Sequence, residues 1–252
     1  MNVKGVVVVD LRFRDKVVVI TGAGQGLGAG FALDFGIEGA IVVLIGRTKS
    51  KLDNIADKII KSGGRAFVSV CDVSKSKEVD NCFKNLIEKF GTVDILINNV
   101  ATHKSCPVID TTAEEWDAQI KTNLSGTFYC TKAVLKSMID KRYGKIINIS
   151  STAAKHFFPG FGAYSASKGG VVSFTQTLSE EVKEYGINVN AIYLGMTNTE
   201  YTRKRFDSDD AVTIPLEEML QVEEVSKVVT FLASDEASPI MGAAIDVCGK
   251  KA

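Results

Sequence analysis

The feature that most constrains this chain is the alternation of two hydrophobic patterns along nearly its whole length. Short apolar, β-branched runs occur at Lys16 to Ile20, Ile41 to Ile45, Ala66 to Val70, Val93 to Ile97, Lys145 to Ile149, Ile187 to Ile192 and Ala244 to Val247. Strand runs that are apolar without alternation are buried on both faces. Between them lie helical periods. Leu52, Ile55, Ala56, Ile59 and Ile60 repeat at i, i+3, i+4, i+7 and i+8 and end at Gly63-Gly64. Val79, Cys82, Phe83, Leu86, Ile87 and Phe90 repeat that spacing and end at Gly91. Leu27 to Gly39, Ala163 to Tyr185, Val222 to Leu232 and a long segment marked by Trp116, Ile120, Leu124 and Phe128 read as further helices. Strands alternating with helices of about ten or more residues form parallel βαβ units. The pattern predicts an α/β fold: a doubly wound parallel sheet with helices on both faces. With 252 residues, four prolines and no stretch that reads as a linker, residues 1–252 read as a single domain.

Composition narrows the function classes. Thirty basic residues balance thirty acidic ones, which argues against a nucleic-acid partner held by a bulk basic field. The longest apolar runs are four or five residues, such as Val6 to Val9, against about 18 needed to span a membrane. No signal-peptide h-region with a small-residue cleavage site is visible, so the expected location is cytoplasmic. Five cysteines (Cys71, Cys82, Cys106, Cys130, Cys248) with no CxxC pair fit neither a disulfide framework nor a zinc site and read as reduced, mostly buried thiols. Two histidines, His103 and His156, are too few for a His-based metal site, and no metal is expected.

A doubly wound sheet binds ligands at the carboxyl ends of its strands, so chemistry-bearing residues should follow strands. The first run is followed by Thr21-Gly22-Ala23-Gly24-Gln25-Gly26-Leu27-Gly28. Such a turn lets backbone N–H groups approach a pyrophosphate at a helix N-terminus; a plain tight turn is the alternative. Gly22 and Gly26 permit the turn and close approach, and Gly28 permits tight helix–sheet packing. The dinucleotide fingerprint places an acid about 20 residues on, where it holds the ribose 2′-hydroxyl. Here the second run ends Leu44-Ile45-Gly46-Arg47-Thr48-Lys49, with Lys51 nearby and no carboxylate. A guanidinium binds a 2′-phosphate that a carboxylate would repel, which favours NADP over NAD. A solvated charge cluster at a helix start is the competing reading, and Gln25 adds no second positive charge. After the third run, Cys71-Asp72-Val73 can reach an adenine edge with Asp72; a helix N-cap at Asp72 or Ser74 remains open.

Tyr164-Ser165-Ala166-Ser167-Lys168 puts a phenol and an ammonium at i and i+4, on one face of a helix. A free phenol titrates near 10, too high for acid–base work at neutral pH, and a neighbouring ammonium lowers that value. The pair therefore suits proton transfer, although chance surface pairs have the same spacing. Ser151, thirteen residues earlier at a strand end, can hydrogen-bond a carbonyl oxygen or merely cap a turn. Asn123 sits mid-helix, where asparagine is a poor former, which points to a task for its side chain or to a solvent-facing kink.

Taken in order, Thr21-Gly22-xxx-Gly26-x-Gly28, Asp72, Asn98-Asn99-Val100-Ala101, Asn123, Ser151, Tyr164-xxx-Lys168, and Gly195 with Thr199 resemble the short-chain dehydrogenase/reductase family from about Arg14 to Gly249. The resemblance implies a Rossmann-like enzyme that moves a hydride between a nicotinamide cofactor and a secondary alcohol or ketone. It implies proton transfer by Tyr164, cofactor-ribose binding and phenol tuning by Lys168, carbonyl polarisation by Ser151, and a water held by Asn123. It also implies cofactor contacts from Gly22, Gln25, Gly26, Leu27, Gly28, Arg47, Asp72, Val73, Asn99, Gly195, Thr197 and Thr199, besides Tyr164 and Lys168. A homo-oligomer, tetramer or dimer, follows from the same resemblance. Three departures stand out: Val100-Ala101 for Ala-Gly, Leu194-Gly195 for Pro-Gly, and Val247-Cys248-Gly249 for Asp-Gly-Gly. Val100 and Ala101 add bulk beside the cofactor.

In the family, the substrate pocket follows the fourth, fifth and sixth strands, here Thr102-His103-Lys104, His156 to Phe161, and Tyr193 with Met196. Phe157, Phe158 and Phe161 suggest a bulky apolar or ring-containing substrate, of hydroxysteroid, bile-acid or 3-oxoacyl type; packing under a loop is the alternative. Residues 196–220, rich in charge, read as a lid, and residues 1–13 as an N-terminal extension. A non-catalytic nucleotide-binding sensor or scaffold of the same fold is the second hypothesis, and intact Asn123, Ser151, Tyr164 and Lys168 count against it.

Overall fold

The computed structural model describes residues 11–206, 215 and 218–249. Seven strands form one parallel sheet: β1 (Val17–Thr21), β2 (Ile41–Gly46), β3 (Arg65–Val70), β4 (Ile95–Asn98), β5 (Gly144–Ile149), β6 (Ile187–Leu194) and β7 (Ala244–Val247). Their order is β3-β2-β1-β4-β5-β6-β7. The chain steps outward from β1 to β3, returns beside β1 as β4, and steps outward the other way. The reversal between β1 and β4 opens a crevice at their carboxyl ends. The fold is a Rossmann-like doubly wound sheet, as the alternating pattern predicts.

Period-2 geometry explains the unbroken apolar strands. Val18, Ile20, Val42 and Leu44 enter one core with Phe31 and Phe35 of α1 (Gly26–Ile37), Leu52 and Ile59 of α2 (Lys49–Lys61), and Val225 and Val229 of α8 (Val222–Ala233). Their neighbours Val17, Val19, Val43 and Ile45 enter a second core. It is completed by Phe83 of α3 (Ser76–Phe90), Val134 and Met138 of α5 (Gly126–Lys141), and Leu178 of α6 (Gly162–Val182). Phe13 packs edge-on against Phe35 at 4.7 Å, so the end of the expected extension joins the first core. Val6 to Val9 lie outside the described residues.

The structure departs from the expected long helix around Trp116 to Phe128. A capping box between Thr112 and Glu115 starts α4 (Ala113–Gln119), which widens into a π-turn over Ile120–Ser125 before α5. Trp116 and Phe128 are 43% and 41% exposed. The buried face carries Gln119, Asn123, Gly126, Thr127 and Cys130 instead. Two amides that need hydrogen bonds, rather than an apolar stripe, set which side turns inward. The expected Ala163 to Tyr185 helix is α6 followed by a 3-10 turn over Lys183–Tyr185.

Candidate active site

The first strand–helix turn is shaped by glycine where other residues would be strained. Gly22 and Gly26 have φ of +69° and +54°. A Cβ on Gly28 would lie 2.3 Å from the Gly22 carbonyl oxygen, so α1 enters directly over the turn. Asn99 braces this turn from β4: its amide donates to the Thr21 carbonyl at 2.9 Å. The Thr21 hydroxyl accepts from the Asn99 and Val100 backbone N–H groups at 2.9 and 3.2 Å, which ties β4 to β1 despite the bulk of Val100. Leu27 packs against the first core. The far side is closed by Thr199, whose Cγ2 is 3.6 Å from the Cβ position of Gly26.

The cations beyond β2 divide into two groups. Lys49 pairs with Asp53 at 2.8 Å along α2. Lys51 instead donates to Gln25 at 2.5 Å, which brings a positive charge to the glycine turn that Gln25 itself lacks. Arg47 is exposed at the end of β2 and near Asp72. Partial burial opposes ionisation of Asp72. Hydrogen bonds from the Ser74 hydroxyl and backbone N–H, with the Arg47 and Lys75 charges, outweigh it and hold the carboxyl below its usual range. Neither Asp72 nor Ser74 is the N-cap of α3; Lys75 occupies that position, and Asp72 closes an Asx-turn. Val73 is buried against Gly126.

At the carboxyl end of β5, α6 is bolted to the sheet by Lys168. Its ammonium donates to the Ile149 carbonyl at 2.6 Å, and its own carbonyl accepts from the Ser150 hydroxyl at 2.9 Å. Burial pushes the Lys168 pKa down to about 8. The ammonium lies 5.9 Å from the Tyr164 ring centroid. Ser151 follows immediately; its hydroxyl accepts from the Ala153 N–H at 3.1 Å, capping a 3-10 turn and leaving its proton to donate. Asn123 is fully buried in the π-turn. Its side chain accepts from Thr102 N–H at 2.8 Å and donates to the Thr102 carbonyl at 2.9 Å and the Ser167 hydroxyl at 3.0 Å.

The expected pocket segments separate. Phe161 and His103 pack at 4.3 Å between ring centroids, and His103 meets the Tyr164 ring edge-on at 4.7 Å. Phe158 packs at a tilt against Phe161 at 5.4 Å with one side still exposed, and Phe157, 98% exposed, and His156 face solvent. Lys155 pairs with Asp246 and lies 4.7 Å from the Tyr193 ring centroid. Gly195 is required where β6 meets β7, since a Cβ there would be 2.8 Å from Cys248 Cα. The Thr197 hydroxyl donates to the Gly195 carbonyl at 3.2 Å. The expected lid leaves and returns at one point: Asn198 N–H donates to Leu220 and Leu220 N–H to Met196, at 2.8 and 3.1 Å. Its described part includes α7 (Glu200–Phe206), while 207–214, 216 and 217 lie outside the described residues. Sequence reasoning missed Gln119, a buried amide four residues before Asn123; that shared helix face was the available signal.

The family model for short chain dehydrogenase matches residues 16–210. The chain belongs to the short-chain dehydrogenase/reductase family. As a member of that family it is an oxidoreductase that binds a nicotinamide cofactor, and its first strand–helix turn fits one: Gly22 and Gly26 hold the positive φ of a tight turn, Lys51 reaches Gln25 within it, and Arg47 is exposed at the end of β2. It is 36% identical over 236 residues to a 3-oxoacyl-[acyl-carrier-protein] reductase of Synechocystis sp., covering 93% of this chain and 96% of that one. It is 34% identical over 242 residues to the 3-oxoacyl-[acyl-carrier-protein] reductase FabG of Thermotoga maritima, covering 95% and 98%. Among solved structures, a variant of actinorhodin polyketide ketoreductase with NADPH superposes with a TM-score of 0.87 at 31% identity, covering 93% and 96%. NAD+-bound xylitol dehydrogenase gives 0.89 at 28%, covering 94% and 99%. Among the described residues no helix is long and apolar enough to cross a membrane.

Proposed function

We propose that this enzyme is an NADP-dependent reductase of ketones, with 3-oxoacyl thioesters or bulky ring-containing ketones as substrates. The observation that carries the cofactor choice is Lys51 drawn to the glycine turn by Gln25, with Arg47 exposed at the end of β2 and no carboxylate there. A phosphate on the adenosine ribose gains charge-assisted hydrogen bonds there. The names of the reductase relatives and of the NADPH-bound ketoreductase favour the same reading. A nicotinamide dinucleotide bound along the crevice supplies the hydride. Tyr164 then gives its hydroxyl proton to the substrate oxygen as negative charge develops on it, and Ser151 donates a hydrogen bond to that oxygen. Lys168, still protonated at pH 7, stabilises the phenolate left on Tyr164. The His103–Phe161–Phe158 wall favours an apolar or ring-bearing group beside the carbonyl. Five free thiols suit a reducing cytoplasm, and exposed Trp116 and Phe128 suit a homo-oligomer.

The test is fluorescence titration with NADPH and NADH, joined to reduction of acetoacetyl-coenzyme A. NADPH should bind tighter, and Arg47→Glu should weaken it at least tenfold while changing NADH little. Tyr164→Phe should lower turnover by about 10²–10⁴ with NADPH affinity intact. Tighter NADH binding that ignores Arg47 would overturn the cofactor choice, and turnover surviving Tyr164→Phe would overturn the proton donor.

A further inference from the structure

Residues 102–104 form a strap between β4 and α4 whose two sides are held differently. On one side, Asn123 takes both backbone groups of Thr102, at 2.8 and 2.9 Å. One helical turn earlier, Gln119 does the same for Lys104: its carbonyl accepts from Lys104 N–H at 3.3 Å and its amide donates to the Lys104 carbonyl at 3.4 Å. Two side-chain amides thus pair with alternate residues of the strap, as a neighbouring strand would. In an extended chain, alternate residues turn their backbone groups the same way, and the residue between them turns the other way. His103 is that residue. Its carbonyl accepts from the Tyr201 hydroxyl of α7 at 3.5 Å, on the side away from the two amides. Its ring lands edge-on against Tyr164 at 4.7 Å and tilted against Phe161 at 4.3 Å. Lys104 is further tied to Glu115 of α4 by an ion pair.

We propose that His103 is a positioning residue for the Tyr164 ring, set in place by the splint of Gln119 and Asn123. This rests on the reading of Tyr164 as proton donor. A donor hydroxyl is useful only in a narrow range of distance and angle to the substrate oxygen, and a displacement of about 1 Å can cost about 10²-fold in rate. Tyr164 is one helical turn from Lys168, which fixes its backbone but not the tilt of its ring. The edge-on imidazole at 4.7 Å adds to that restraint, beside the more distant edge-on contact of Phe161 at 6.1 Å. The contact observed between His103 and Tyr164 is ring against ring, so an aromatic replacement preserves the clamp.

The test compares His103→Ala, His103→Phe and Gln119→Met, with reduction of acetoacetyl-coenzyme A and of a bicyclic ketone, 1-decalone, as probes. His103→Ala should lower kcat about tenfold for both ketones, with KM within about twofold. His103→Phe should restore kcat to within about twofold of wild type. Gln119→Met, which keeps bulk but loses the amide, should lower kcat in the same direction with a melting temperature close to wild type. A second readout needs no turnover: in protein carrying ¹³C-tyrosine, the Tyr164 ring signals, assigned through Tyr164→Phe, should report a held ring in wild type and His103→Phe and a freed ring in His103→Ala. Unchanged kcat in His103→Ala, or an effect on KM alone, overturns the proposal. So does a ring signal indifferent to residue 103. If wild type reduces neither ketone, the substrate reading fails, and the ring signals still decide the clamp.

Discussion

Lys168 is the residue where the proposed proton transfer and stability pull in opposite directions. Its side chain is almost fully buried and donates to the Ile149 carbonyl, and burial holds its pKa near 8. An unfolded lysine titrates near 10.4. The folded state therefore binds fewer protons between about pH 8 and pH 10.4, and stability rises with pH across that window. Below pH 8 both states are charged and the penalty is fully present, on the order of 3 kcal/mol. Lys168→Met keeps the bulk without the charge. It should abolish most turnover yet raise the melting temperature at pH 7 by several degrees. The gap to wild type should close as pH rises from 8 toward 10. Thermal melts of both proteins from pH 6.5 to 10 check this; a gap that widens with pH would refute the burial penalty. The spacing of Tyr164 and Lys168 was legible in the sequence because helical geometry alone sets it. The burial that shifts Lys168 was not, because it depends on β5 and on Ser150 reaching across from the sheet.

Among the elements, the β1–α1 turn is where sequence and structure agree most closely. The need for glycine there is local: positive φ at Gly22 and Gly26, and a missing Cβ at Gly28, are properties of one turn. Gly28→Ala forces the Gly22 carbonyl away from α1. Overpacking of this kind costs about 1–3 kcal/mol, which for a chain of this size lowers the melting temperature by about 2–10 °C. The same shift misaligns the N–H groups of the turn, so NADPH affinity should fall with it. Calorimetry and fluorescence titration on one preparation check both effects; Gly28→Ala with normal stability and normal affinity would show that the turn tolerates a side chain. The α4–α5 segment was less legible. Asn123 was conspicuous as a poor helix former, but the π-turn that accommodates it rests on pairing with Thr102 and Ser167, partners 21 residues before and 44 residues after it. The same limit hid Gln119. A polar residue in a helix declares neither its face nor its partner until the facing loop is placed.

At the scale of the whole molecule, the strand runs carried the architecture because burial on both faces leaves an unmistakable composition, and every strand joins one sheet. Helix stripes are ambiguous in a way strands are not. The Trp116, Ile120, Leu124 and Phe128 stripe has the spacing of a core face, yet its two aromatics are exposed and the real core face lies elsewhere. Leu124 packs against Gly170 of α6, while the two aromatics stay exposed. Phe128 packs edge-on with Tyr129 and Phe174, at 5.7 and 6.0 Å, with the Lys132 ammonium 5.9 Å from its ring centroid, which extends an aromatic surface over α5 and α6 rather than filling the interior. Contiguous exposed apolar surface of this kind marks association sites. If this stripe is where copies of the chain meet, Phe128→Glu places a charge in the contact and should shift the protein to a smaller species without unfolding it, since the side chain is already 41% exposed. Sedimentation velocity at several concentrations, with circular dichroism as the folding control, reads the result. Wild-type protein sedimenting as a dimer or tetramer, and Phe128→Glu as a smaller species with unchanged dichroism, would assign the stripe to assembly. A wild-type monomer at tens of micromolar would remove assembly as the reason these rings face water.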